Sequence, residues 1–181
     1  MFEPNKIEIE QSIYRALKRS SVEHPFNIAI RYMHKKFNYL QVVRRVNQFA
    51  KEFHDLGYKK DDLVTICLPN IPEAVYLLYS VNQVGCIANI VHPLFTYDQM
   101  KENLELTGSK TLFCLDTKYN QFKPLIEELG VKIYACSPTN ELNIFKKIGY
   151  KIKCRKQLEG VTKANGVKSF YKNKSYKEYD S

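Results

Sequence analysis

The residues able to do chemistry are spread thinly along this 181-residue chain. Cys67, Cys86, Cys114, Cys136 and Cys154 stand about twenty residues apart, with no Cys-x-x-Cys pair and no His at ligand spacing. Most lie in apolar runs such as Thr65-Ile66-Cys67-Leu68 and Leu112-Phe113-Cys114-Leu115, where a thiol packs as a small hydrophobe. Reduced structural thiols and a cytoplasmic setting are expected. His24, His34, His54 and His92 form no i, i+4 pair and have no carboxylate at metal spacing, so surface and loop roles outweigh ligand or base roles. His92 precedes Pro93 at the end of an apolar run, where open α/β sheets place their ligand crevice, yet a structural role is expected for it too. Asp61-Asp62 and Glu127-Glu128 are adjacent, so their side chains diverge and do not make an acid–base pair. There is no G-x-S-x-G nucleophile elbow. Gly57, Gly85, Gly108, Gly130, Gly149, Gly160 and Gly166 are all isolated, which excludes a dinucleotide fingerprint and a Walker loop in this stretch. Thr107-Gly108-Ser109-Lys110 looks like a fragment of a phosphate loop, but it links a helix to a strand and lacks further glycines. No catalytic, cofactor-binding or metal-binding residue is assigned from the sequence.

The elements around these residues follow a repeating order. Ile9, Ile13, Ala16 and Leu17 predict a helix over 9–22, His24-Pro25 breaks it, and residues 27–32 read as a strand. Asn38-Tyr39-Leu40-Gln41 has the form of a capping box. Behind it Val42, Val43, Val46, Phe49, Ala50, Phe53 and Leu56 make an apolar stripe that stops at Gly57. Residues 63–68 then read as a buried strand. Asn70-Ile71-Pro72-Glu73 and Thr96-Tyr97-Asp98-Gln99 repeat the box pattern. The first opens a helix over 74–84 and a strand over 87–91; the second opens a helix to about Leu106 and a strand over 111–115. A helix near 118–129 and a strand over 131–135 complete the series. Strands alternating with helices predict an α/β fold, a parallel-rich sheet of about four or five strands flanked by helices.

Composition agrees with a globular chain, at 44% hydrophobic and 26% charged residues. The formal net charge of +9 is uneven: residues 1–140 hold 17 Lys+Arg against 15 Asp+Glu, and residues 141–181 hold 11 against 4. Residues 1–139 therefore read as an α/β subdomain segment, and 140–181 as a basic, Lys/Tyr-rich connector, partly helical near 141–158 and otherwise disordered. No nucleic-acid motif accompanies the charge, so nucleic-acid binding is not expected. The N-terminus lacks the basic start and apolar stretch of a signal peptide, and no run of about 18 apolar residues suggests a membrane span.

Five segments occur in an order that resembles the N-terminal region of the AMP-forming acyl-CoA synthetases, in the adenylate-forming superfamily. They are Phe37-Asn38-Tyr39-Leu40-Gln41, Val46-Asn47-Gln48-Phe49-Ala50, residues 56–64, Leu68-Pro69-Asn70-Ile71-Pro72-Glu73 and residues 84–94. Asn38 stands where that family usually has Thr or Ser, and Gln41 where it has Glu, so the capping box survives both changes. The resemblance covers about residues 10–135 and concerns scaffold.

What the resemblance implies is an N-terminal portion of the adenylate-forming fold and, for the parent enzyme, an acid–CoA ligase. Such a ligase converts a carboxylate, ATP and CoA into acyl-CoA, AMP and pyrophosphate, using Mg²⁺, in fatty acid or related acid metabolism. The family's phosphate loop, aromatic-Gly-x-Thr-Glu motif, Thr-Gly-Asp motif and C-terminal Lys do not occur in residues 137–181. ATP, Mg²⁺ and CoA are thus expected for the parent and none for this chain alone. The expected partners are the remainder of the ligase, a small carboxylic acid for the parent, and further copies of the chain through exposed apolar surface. The acid stays open among fatty, aryl and carnitine-type substrates. The alternative reading is a stand-alone, non-catalytic binding or interaction module built on the same scaffold.

Overall fold

The computed structural model describes residues 12–162 and 165–172. Helix α1 (Ile13–Glu23) is capped by the Ser12 side chain, which accepts from Arg15 N–H. Ile9, expected at the start of this helix, lies outside the described residues. Strands β1 (Ile28–Tyr32) and β2 (Lys35–Asn38) form an antiparallel hairpin. Its second strand has no clear sequence signal, because the turn contains Met33 at φ 51° where a glycine or asparagine would announce a hairpin.

Helix α2 (Tyr39–Asp55) begins with the expected capping box. Asn38 Oδ1 accepts from Gln41 N–H at 2.9 Å, and Gln41 Oε1 accepts from Asn38 N–H at 3.0 Å. Its apolar stripe, Val42 to Phe53, is buried, while Leu56 beyond the helix is exposed. Gly57 supplies the left-handed residue, φ +82°, that turns the chain toward the sheet.

Four parallel strands follow: β3 (Leu63–Cys67), β4 (Ile87–Ile90), β5 (Thr111–Leu115) and β6 (Lys132–Cys136), in spatial order β4-β3-β5-β6. They are linked through α3 (Pro72–Gln83), α4 (Tyr97–Thr107), and the pair α5 (Tyr119–Phe122) and α6 (Leu125–Leu129). Alternation along the strands separates two cores. Val64, Ile66, Phe113, Tyr134 and Cys136 face α1, α2 and α3; Cys67, Leu112, Cys114, Ile133 and Ala135 face α4, α5 and α6.

Three expectations need correction. Asn70 does not cap α3: Ile71 occupies the N-cap with no side-chain bond, and Glu73 turns inward instead of reaching back. The helix expected over 118–129 is divided at Lys123-Pro124, because Pro124 has no N–H to give the preceding turn. The helix expected over 141–158 is the shorter α7 (Ile144–Lys153).

Residues 165–172, expected within a basic connector, pack on the sheet. Ala135 N–H donates to Asn165 O at 2.8 Å and Val167 N–H to Ala135 O at 3.1 Å, so Gly166 bridges in parallel to the last strand. Helix α8 (Lys168–Lys172) then lays Phe170 fully buried among Phe49, Phe53, Phe113 and Tyr134, with ring centroids 5.2 to 5.5 Å away. Residues 173–181, also expected in the connector, lie outside the described residues.

Candidate functional site

The chain passes from β3 to β4 on one side, then crosses to β5 on the other, so the direction of winding reverses between β3 and β5. In open parallel sheets a ligand crevice forms outside the carboxyl ends of strands at such a reversal. Here that edge carries Leu68-Pro69-Asn70 after β3 and Asp116 after β5, flanked by His92-Pro93 and Ser137-Pro138-Thr139.

Asp116 is buried, and its Oδ1 accepts from Thr117 N–H at 2.9 Å and from Tyr150 Oη at 2.5 Å. Burial pushes its carboxyl above the usual range, while the hydroxyls of Tyr150 and Ser137 and the local backbone hold it down. The Tyr150 bond ties α7 over the edge beside a half-open cavity of about 610 Å³, whose walls include Asp116, Ser137, Ile144, Ile148, Tyr150 and Arg155. With these donors engaging its carboxylate, Asp116 positions α7.

A second cluster joins α2, α3, α8 and the loop before α7. Glu73, in the first turn of α3, is buried, and Tyr171 Oη donates to its Oε1 at 2.6 Å. Arg45 Nε donates to Glu141 Oε1 at 3.1 Å, and its guanidinium lies 4.9 Å from the Tyr171 ring centroid. Burial pushes the Glu73 carboxyl up from its ordinary 4.5 to about 7, despite the opposing hydrogen bond from Tyr171. Neither Asp116 nor Glu73 stands out in the sequence. An acid after an apolar strand was a signal for the first; the second has the spacing of a capping residue, and only the fold reveals its burial.

The residues weighed from the sequence fall elsewhere. All four histidines are exposed. His92 lies two residues beyond the edge strand, where its Nδ1 accepts from Leu94 N–H at 3.3 Å and its carbonyl accepts from Cys67 Sγ at 3.4 Å. Burial pushes the Cys67 and Cys86 thiols up to about 11, and those of Cys114 and Cys136 well up, so all four stay protonated at neutral pH. Thr107-Gly108-Ser109-Lys110 lies at the opposite end of the sheet, with Ser109 Oγ donating toward Leu63 O and Thr111 O, each at 3.1 Å. That end also holds a groove of about 900 Å³. Gly57, Gly108 and Gly130 on its rim follow the C-termini of α2, α4 and α6, whose negative dipole ends disfavour phosphate.

The described residues at this edge do not make a triphosphate cradle. A triphosphate needs converging backbone N–H groups, whereas the described left-handed glycines mostly follow helices and the acid at the reversal is already hydrogen-bonded.

The sequence profile of the AMP-binding enzyme family matches residues 17–161. The chain belongs to the AMP-binding enzyme family. Among the relatives of this chain, the acetyl-coenzyme A synthetase of Emericella nidulans is 25% identical over 150 residues, covering 77% of this chain and 22% of that protein. The 3-hydroxypropionyl-coenzyme A synthetase of Sulfurisphaera tokodaii is 27% identical over 123 residues, covering 65% and 19%. The crystal structure of a mutant coronafacic acid ligase from Pectobacterium brasiliense superposes with a TM-score of 0.72 at 13% identity, over 94% of this chain and 31% of that one, a likeness of fold. The chain spans about a fifth of the length of these curated relatives, 22% and 19%. The parallel sheet and its flanking helices are thus the N-terminal part of the superfamily's fold.

The Glu73 carboxyl gives the segment a pH dependence of definite sign. Folded, it keeps its proton up to about pH 7; unfolded, it releases it near 4.5. The folded state therefore binds more protons in between, and the stability this group contributes is whole below pH 4.5 and lost as pH rises through 7. Glu73→Gln keeps an acceptor for Tyr171 and removes the ionisation. Urea unfolding should find variant and parent similar near pH 4.5, and the variant more stable by about 2–3 kcal/mol at pH 8. A parallel pH response in the two proteins would contradict the burial of an ionisable Glu73.

Proposed function

We propose that the chain supplies the N-terminal scaffold of an AMP-forming acid–CoA ligase and does not catalyse on its own. The observation that carries this reading is the family match over residues 17–161 together with relatives that are themselves CoA synthetases acting on different acids. In the whole ligase a carboxylate would displace pyrophosphate from ATP to give an acyl-adenylate, and CoA would then displace AMP. This chain would contribute the β3 and β5 carboxyl ends as one wall, with groups from the remainder of the ligase binding nucleotide, metal and thiol. The free cysteines, four of them buried, support a reducing, cytoplasmic compartment. No helix among the described residues is long and apolar enough to cross a membrane.

The purified chain should give no ATP–pyrophosphate exchange above a heat-denatured control with acetate, propionate, a long-chain fatty acid or an aryl acid. Exchange with any of them would overturn the proposal of an inert segment. Sequencing the same reading frame past Ser181 should show a Ser/Thr/Gly-rich loop, and a stop codon at position 182 in several related strains would favour the stand-alone module.

Exposed apolar side chains on and beside the edge strand, Ile87, Ile90 and Leu94, support docking of the remainder of the ligase there and self-association in its absence. Light scattering of the isolated chain should report a mass above that of a monomer, and a monomer at all concentrations would contradict this use of the edge.

A further inference from the structure

Helix α7 carries an exposed apolar face, of which Ile144 and Ile148 border the cavity beside Asp116 and Phe145 and Ile152 do not. Phe145 is 81% exposed, Ile152 73%, Ile144 62% and Ile148 49%. Ile144, Ile148 and Ile152 recur at i, i+4 and i+8, with Phe145 beside them, so the four share one side of the helix. The opposite side holds the helix to the protein. Tyr150 Oη donates to Asp116 at 2.5 Å, and Lys147, Tyr150 and Cys154 are half-buried there. Leu142, just before the helix, is buried, and Asn143 caps the first turn by accepting from Lys146 N–H at 3.1 Å. The anchor therefore fixes Phe145 and Ile152 pointing away from the sheet.

Charge on α7 is one-sided in sign. Residues 142–158 contain Lys146, Lys147, Lys151, Lys153, Arg155 and Lys156 and no Asp or Glu. On the helical wheel Lys146 and Lys153 border one flank of the apolar face and Lys151 the other, with half-buried Lys147 behind it on the anchored side. An apolar ridge edged on both sides by long cationic side chains matches a lipid–water interface. At such an interface the ridge would enter the acyl boundary and the ammonium groups would reach anionic headgroups. A nucleic acid would use the lysines but would leave Phe145 and Ile152 without a role.

We propose that α7 is a peripheral docking surface for an anionic lipid bilayer. The helix lies flat on the bilayer, held from behind by Tyr150 and Asp116, and brings the carboxyl edge of the sheet close to the membrane surface. This goes beyond the ligase reading and does not depend on it.

Co-sedimentation of the full 181-residue chain with extruded vesicles tests it. The chain should partition onto phosphatidylcholine vesicles containing one quarter phosphatidylglycerol, and less so as salt is raised. The combined substitution Phe145→Gln and Ile152→Gln leaves the net charge unchanged and should weaken this partitioning by about ten-fold. Its circular dichroism should match that of the parent, since both side chains are exposed. Lys146→Gln with Lys153→Gln should reduce the preference for anionic over neutral vesicles. No sedimentation with either vesicle, equal sedimentation with pure phosphatidylcholine, or undiminished binding by the Phe145/Ile152 variant would each overturn the proposal. Binding of a single-stranded RNA oligonucleotide without any vesicle binding would overturn it as well.

Discussion

A parallel sheet has to be covered on both faces, because the crossovers that make its strands parallel also leave apolar side chains on each side of the ribbon. In this chain that requirement organises nearly everything else. Val64, Ile66, Phe113 and Tyr134 must be covered on one face, and Leu112, Cys114, Ile133 and Ala135 on the other. Helices α4 to α6 cover the second face. The first is covered by α1, α2 and α3 and also by Phe170, which arrives from the far end of the described chain and fills the space between α2 and the last two strands. The short α8 owes its place to that aromatic contact, being too short to hold its shape by propagation alone.

The same packing sets the polar contacts. Once α8 is docked, Tyr171 meets Glu73 and lies under Arg45, so a carboxyl in the first turn of α3 is sealed from water and its proton affinity rises. On the other side of the edge, Asp116 receives Tyr150 and turns α7 outward. Asp116 sits just after β5 and Glu73 in the first turn of α3, and both bind later segments of the chain. The polar groups of the carboxyl edge are thereby committed to holding structure.

Local signals made much of this fold legible. The Asn38 and Thr96 capping boxes, the apolar stripe of α2 and the runs that became β3, β5 and β6 depend on neighbours a few residues away, and each is where its pattern put it. The ordered motifs that resemble acyl-CoA synthetases are made of the same local scaffold, and they led to the right family. What escaped depends on distant partners. Asn70 and Glu73 have the spacing of a capping box, but Tyr171, 98 residues later, holds the carboxyl inside. Val167 and Phe170 are two apolar residues in a Lys- and Tyr-rich stretch, with too little periodicity to announce a core helix. Asp116 acquires its partner, Tyr150, from 34 residues away.

That the end of the described chain completes one face of the sheet is open to a direct measurement, hydrogen exchange of the strand amides in the parent chain and in Phe170→Ala. In the parent, amides of β3, β5 and β6 should be the slowest to exchange. In the variant, removal of a fully buried ring costs about 3–5 kcal/mol, and exchange along β5 and β6 should accelerate by at least about a hundred-fold where it proceeds through global opening. Unchanged protection of those strands in the variant would mean that the sheet is complete without residues 165–172, and the account of how this scaffold is closed would be wrong.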